Sequence, residues 1–191
     1  DEQGLRDLVC HNLRADCQPS DSVVVLRFTN RYQSERSTFS FTTDETYTIL
    51  RDGTVCFTSD IDPNEKGSEL PRLGYRAILP ASFSHMRWLG RGPHHSYRDR
   101  KESAFVGLWT GEVGRQWENQ VLPQETGNKE DVEWIALTDD EGRGILFVAP
   151  YKMAASAVNW DERALYTDRH HRLHHPSEVT FGQHTYVNLD D

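Results

Sequence analysis

A chain of 191 residues fits one domain that hides roughly 70% of its unfolded surface without disulfides. Its 21 Lys and Arg stand against 30 Asp and Glu, a formal net charge of −9, so a phosphate backbone is repelled over most of the surface and nucleic acid is not an expected partner. Cys10, Cys17 and Cys56 are odd in number and lack metal-like pairing, which reads as buried or idle thiols of a reducing, cytoplasmic compartment; neither a signal peptide nor an apolar run of membrane length is read, so no membrane is expected.

Taken in order, Leu5 to Leu13 reads as a helical turn and "SVVVLRFTN" as a strand. In "TFSFTTDETYTI", Thr38 to Ile49, Phe39, Phe41, Tyr47 and Ile49 fall on odd positions and polar residues on even ones, which predicts one buried and one wet sheet face. Asp52-Gly53 then turns the chain into "TVCFTSDI", a hairpin whose glycine supplies a positive φ. "DPNEKGSELP", Asp62 to Pro71, is the best candidate boundary, but a surface loop within a single domain spanning 1–191 is the expected reading. Asp131 to Thr138 and Gly144 to Ala149 flank an acidic turn closing on Gly142, a second hairpin; Asp161 to Thr167 reads as a helical turn and "EVTFGQHTYVNL" as a final strand. The period is two far more often than 3.6, so the fold class is all-β, an antiparallel β-sandwich.

Three stretches could carry chemistry. In "WLGRGPHHSYRDRK", Trp88 to Lys101, the glycines and Pro93 impose a tight path that crowds Arg91, His94, Tyr97, Asp99 and Arg100, the donors and acceptors a hydroxyl-rich sugar would need. A salt-bridged corner that holds loops together, with Asp99 lying between Arg98 and Arg100, is the expected reading over direct ligand contact. In "LPQETGNKED", Glu125, Asn128, Glu130 and Asp131 surround Gly127; two carboxylates in different environments can divide acid and base work, but Glu125 paired with an arginine near Asp99 is the plainer expectation. In "RHHRLHH", His170 and His174, or His171 and His175, share a face; no Cys or carboxylate completes a ligand set and Arg169 and Arg172 repel a cation, so no metal is expected.

"LPRLGYR" at Leu70 to Arg76, the two polar stretches above, "LYTDRHHRLHH" and "YVNLDD" occur in an order and spacing that resemble the small-chain domain of glycoside hydrolase family 2 β-galactosidases, most closely over 70–191, with the first 69 residues matching as generic strands. The resemblance implies an antiparallel supersandwich like that of galactose mutarotases. The family pattern "GRGPHENYPDR" is altered here at His95, Ser96 and Arg98, and "PQENGN" at Thr126. It further implies that a glycine-rich segment ending in a stacking tryptophan follows "VNLDD" in the family, and that an acidic, arginine-rich motif lies upstream, so the chain is expected to be a piece of that domain.

The family is a retaining glycosidase that needs two carboxyl groups about 5–5.5 Å apart. The resemblance places both, with the Mg and Na sites, in a barrel of about 250 residues for which this chain has no room. No catalytic residue and no cofactor is therefore expected here. The implied partners are the parent's catalytic barrel, a β-galactoside or galactose held weakly, and further copies in a homo-oligomer. "HTYVNL" also resembles the "HTYFNL" signature of aldose 1-epimerases, which would make His184 a proton donor or acceptor; fold does not transmit function, and the seven residues after His184 include no Glu to serve as base. A purely structural, oligomer-stabilising module is the other alternative.

Overall fold

The structure, a computed structural model, describes residues 4–63, 72–118, 120, 124–162 and 181–190. Its described elements are ten strands and two single 3₁₀ turns, Leu5–Asp7 and Val113–Arg115. The chain groups into two compact units, residues 1–70 and 71–191, dividing inside the stretch weighed as loop or boundary. Every strand pair is antiparallel and the strands form two sheets, the all-β composition a β-sandwich requires.

The first unit is a four-stranded meander of β1 (Leu8–Pro19), β2 (Val23–Ser34), β3 (Ser40–Leu50) and β4 (Val55–Pro63), in that order. The helical expectation for Leu5 to Leu13 is corrected, since only Leu5–Asp7 turns and Leu8 onward pairs with β2. Leu13 is a bulge between the Asn12↔Asn30 and Arg14↔Thr29 pairs, and the extra residue breaks the period of two that would have announced a strand. Phe39, just before β3, and Phe41 within it are buried as expected, but Ser40 between them is buried as well, and from Glu45 to Ile49 both parities are half-buried. This strand lies between two neighbours, and Tyr47 packs against both Phe28 and Phe57. The Asp52-Gly53 hairpin forms with Gly53 at φ 88°. The three cysteines, expected buried or idle, are free and all exposed.

The second unit is a six-stranded sheet of β5 (Gly74–Pro80), β6 (His85–Gly92), β7 (Phe105–Glu112), β8 (Lys129–Thr138), β9 (Gly144–Val158) and β10 (His184–Asp190), in the order β5-β10-β9-β8-β6-β7. The predicted β8–β9 hairpin is present, longer than expected at both ends. The final strand begins only at His184, after Gly182 at φ 77°. Alternation assigns the faces. Trp109, Trp88, Ile135 and Phe147 stand in register on one face, where Met86, Leu137, Val132, Ala155, Ala157 and Val187 complete a core. The other face carries Leu108–Leu89–Trp134–Val148 and, one row on, Thr110–Arg87–Ala136–Leu146. A second cluster packs Val158 and Trp160 against Trp117 and Tyr186.

Candidate functional site

The chain leaves β6 through a cis Gly92–Pro93 bond, reverses at a Tyr97–Arg100 bridge and enters β7 at Phe105. Arg91 is spent inside this corner. Its Nε donates to Asp131 Oδ2 at 2.5 Å and its Nη1 to the carbonyls of Lys101 and Ala104, both at 2.9 Å. Lys101 Nζ adds a 3.2 Å bond to the same carboxylate, and the Arg91 hydrogen bond foremost holds the Asp131 carboxyl below the usual carboxylate range. Asp131 holds a positive φ of 55°, and this double cationic grip keeps it there.

His94 is exposed and meets Ser103 Oγ at 3.1 Å, while Arg100 lays its guanidinium 4.7 Å over the Tyr97 ring. Asp99, expected in a salt bridge, is exposed and makes none among the described residues; the reversal turns it outward. Glu125 is not paired with an arginine of this corner either. Its partner is Arg72, whose Nη1 reaches Glu125 Oε2 at 2.6 Å.

Two of the residues that depart from the family pattern, His95 of the corner and Thr126, meet one another. His95 Nδ1 lies 3.1 Å from Thr126 Oγ1, and Thr126 Oγ1 accepts from the Glu118 amide at 3.2 Å. Glu118 in turn accepts from the His95 amide at 2.7 Å and faces His95 Nε2 at 3.3 Å. Neutral imidazole with its proton on Nε2 satisfies the whole ring of bonds, and burial in the first place holds the His95 pKa below its usual value. A hydroxyl, an imidazole and a carboxylate in line have the form of a nucleophile triad. Thr126 is fully buried, so no substrate reaches it and the arrangement serves as a lock. Next to it Ser96 and Asn128 exchange bonds: Ser96 N to Asn128 O and Asn128 Nδ2 to Ser96 O, both at 2.9 Å. Gly127, at φ 91°, permits this path, since a Cβ there would meet Gln116 O at 3.1 Å.

The densest polar cluster lies around Arg72 and Arg76. Arg72 also binds Asp190 through Nε and Nη2 and lies 3.8 Å from Glu162 Oε2. Arg76 donates to Asn188 Oδ1 at 2.6 Å, Asp161 Oδ1 at 3.1 Å and Glu162 Oε2 at 3.0 Å, and Asn188 Nδ2 reaches Glu162 Oε1 at 3.1 Å. Two arginines thus serve four carboxylates. Burial first, and the charge of Glu125 second, push Glu162 up to about 7; Glu125 is raised by burial. Burial raises the Tyr97 phenol, whose oxygen closes no hydrogen bond although the Asn128 amide is beside it. Carboxylates with separated titration are the raw material of acid–base catalysis. Here both Glu162 oxygens are already bonded and the side chain is 6% exposed, so neither is presented to a substrate.

Sequence reasoning singled out Glu125, Asn128 and Tyr97 but missed Arg72, Arg76, Glu162, Asn188 and Asp190. The one signal was that Asn188 and Asp190 are two apart on β10 and so share a face; that Arg76 stands opposite Asn188 is set by the β10–β5 register. His184, on the same face of β10, is exposed, touches Tyr186 edge-on, and makes no ion pair among the described residues. Six residues of strand put it about 20 Å from Asp190. That is too far for an acid–base pair. His170, His171, His174 and His175 lie outside the described residues, and among the described residues no three His, Cys, Asp or Glu converge as metal ligands.

A family model described as the β-galactosidase small chain matches residues 5–191, which extends the likeness over the first 69 residues as well. A β-galactosidase of Priestia megaterium is 42% identical over 101 residues, 53% of this chain and 10% of that protein. The BgaC β-galactosidase of Bifidobacterium adolescentis is 41% identical over 86 residues, 44% of this chain and 8% of its own length. A β-galactosidase of Arthrobacter sp. is 30% identical over 167 residues, 86% of this chain and 16% of that protein. The chain thus spans only a minor part of these relatives, and over nearly all of its own length it belongs to the β-galactosidase small chain family.

Proposed function

We propose that this chain is an accessory domain of a longer β-galactosidase that hydrolyses terminal β-galactosides with retention, and that it supports or lines the sugar site while the reacting carboxylates come from a catalytic barrel elsewhere in the parent. The observation that carries this reading is a family match over residues 5–191, in a chain whose matched segments cover 8–16% of relatives named β-galactosidase. It is supported by the state of the acids: Glu125, Asp131, Glu162 and Asp190 are each held by an arginine. The parent should therefore cleave a chromogenic β-galactoside and release the β-anomer first by NMR, while the 191-residue chain alone turns over nothing. Release of the α-anomer, or turnover by the chain alone after removal of host enzyme, overturns it.

A purely structural module is favoured by one observation, that Arg91, His95 and Asn128 are occupied by protein partners. The exposed groups of the corner separate the two readings. His94→Ala and Asp99→Ala in the parent should raise KM for the galactoside if this corner lines the sugar site. Unchanged KM with unchanged stability leaves only the structural role.

A further inference from the structure

The non-core face of the β7-β6-β8-β9 sheet is built to be covered. Across four strands one row reads Leu108–Leu89–Trp134–Val148 and the next Thr110–Arg87–Ala136–Leu146. Leu108, Leu146 and Val148 are 52%, 57% and 65% exposed, and Val106 extends the strip along β7 at 53%. A shallow depression of about 770 Å³ runs along the Thr110–Arg87–Ala136–Leu146 row and takes in Trp134 and Val148 at the end of the other. Scattered exposed apolar residues are ordinary, whereas contiguous branched side chains on adjacent strands mark a surface that another body covers.

Arg87 stands in the middle of this strip. It is exposed and makes no ion pair among the described residues, although at the edge of the same face His85 pairs with Asp140 at 2.7 Å and Glu112 with Arg115 at 2.9 Å. A lone cation among aliphatic side chains sets the chemistry of the occupant: an apolar surface that brings a carboxylate to Arg87. Branched aliphatics outnumber the single indole, which suits a protein surface better than a sugar ring. The first relatives are roughly ten times longer than the matched segments, so such a parent has ample chain to cover the strip.

We propose that this face, centred on Arg87, Leu108, Trp134, Leu146 and Val148, is where the domain docks onto the catalytic portion of its own polypeptide. The inference rests on the reading of the chain as part of a β-galactosidase. Carbene footprinting of the whole parent protein tests it, with Leu13, 60% exposed on β1, as the free-surface control. Leu108, Leu146 and Val148 should label several-fold less than Leu13. Arg87→Glu should restore their labelling and leave Leu13 unchanged. Labelling equal to Leu13 in the wild-type parent overturns the docking face. Protection lost on dilution indicates a second copy, and protection that requires added lactose indicates a sugar cleft; either overturns it too. Activity is assayed on the same sample: an active parent with a labelled face refutes the docking alone, whereas a protected face in a parent without β-galactosidase activity keeps the face and refutes the functional reading.

Discussion

Arg72 and Glu125, 53 residues apart, form the 2.6 Å ion pair on which the loop after Gln124 rests. The two partners are not equivalent. Arg72 also binds Asp190 and lies near Glu162, so its loss leaves three carboxylates facing one another; the loss of Glu125 removes one of several negative charges. Breaking a buried pair from the side that strands a charge costs about 3–5 kcal/mol, and exposure of the Arg72 side chain at 37% reduces this to about 1–3 kcal/mol. Arg72→Met should therefore lower the urea midpoint clearly at unchanged slope, and Glu125→Gln should change it by under about 1 kcal/mol. Equal losses would show that Glu125 has no surplus of acid beside it.

Glu162 makes stability depend on pH in a stated direction. Its folded value, about 7, lies above the usual 4.5, so the folded chain binds more protons between those values and stability falls as pH rises through them. With the side chain 6% exposed, the loss between pH 4.5 and 8 reaches about 3 kcal/mol in order of magnitude. Urea midpoints at pH 5 and pH 8 should differ in the wild type and converge in Glu162→Gln. Glu125→Gln should shift the window to lower pH, since the Glu125 charge is the second cause of the elevation. A difference between the two pH values that survives in Glu162→Gln assigns it to other groups.

The strands were legible from the period of two, as around Phe39 and Phe41 and in the β8–β9 hairpin, whose pairing is regular from Trp134↔Val148 to Thr138↔Gly144; the face assignment was less so, since Ser40 between the two rings is buried too. The strand was illegible at Leu8 to Leu13, where the bulge at Leu13 shifts parity in mid-strand. The polar stretches were correctly located, but their partners were not. Glu125 and Arg72 meet only because β10 pairs with β5 and brings Asp190 to Gly74, a register that no local pattern announces. Composition can suggest that a glutamate needs an arginine; the choice among 21 Lys and Arg is made by strand order.

His95 and Thr126 should act as a coupled pair. Thr126→Val removes the acceptor of the Glu118 amide and the partner of His95 Nδ1 in a fully buried spot, which costs about 1–3 kcal/mol. A double-mutant cycle with His95→Ala should return a coupling of about 0.5–3 kcal/mol, because each single change already breaks the shared ring of bonds. Since the folded chain keeps His95 neutral below its usual 6.5, the unfolded chain binds more protons there and stability falls as pH falls through that region. Additive effects in the cycle would mean that the two side chains are neighbours without a working bond.

Gly90 tests the packing of β6 on β8 directly. A Cβ added there would lie 2.8 Å from Val132 Cα and 2.8 Å from Val132 Cγ2, and the first of these is backbone that cannot swing aside. The residue sits between Leu89 and Arg91, so any retreat of β6 also disturbs the Arg91–Asp131 bond and the Trp109 Nε1 bond to Gly90 O. Overpacking of this kind costs about 1–3 kcal/mol, and here no side-chain rotamer change relieves it. Gly53 gives the contrast: nothing lies within 4 Å of a Cβ at that turn, and only its φ of 88° resists substitution. Gly53→Asn, which tolerates the left-handed region, should cost little, while Gly90→Ala should lower the thermal midpoint by several degrees and expose the Trp88 indole to a red-shifted emission. A Gly90→Ala protein with wild-type midpoint and emission would show that β6 and β8 stand further apart than this register places them.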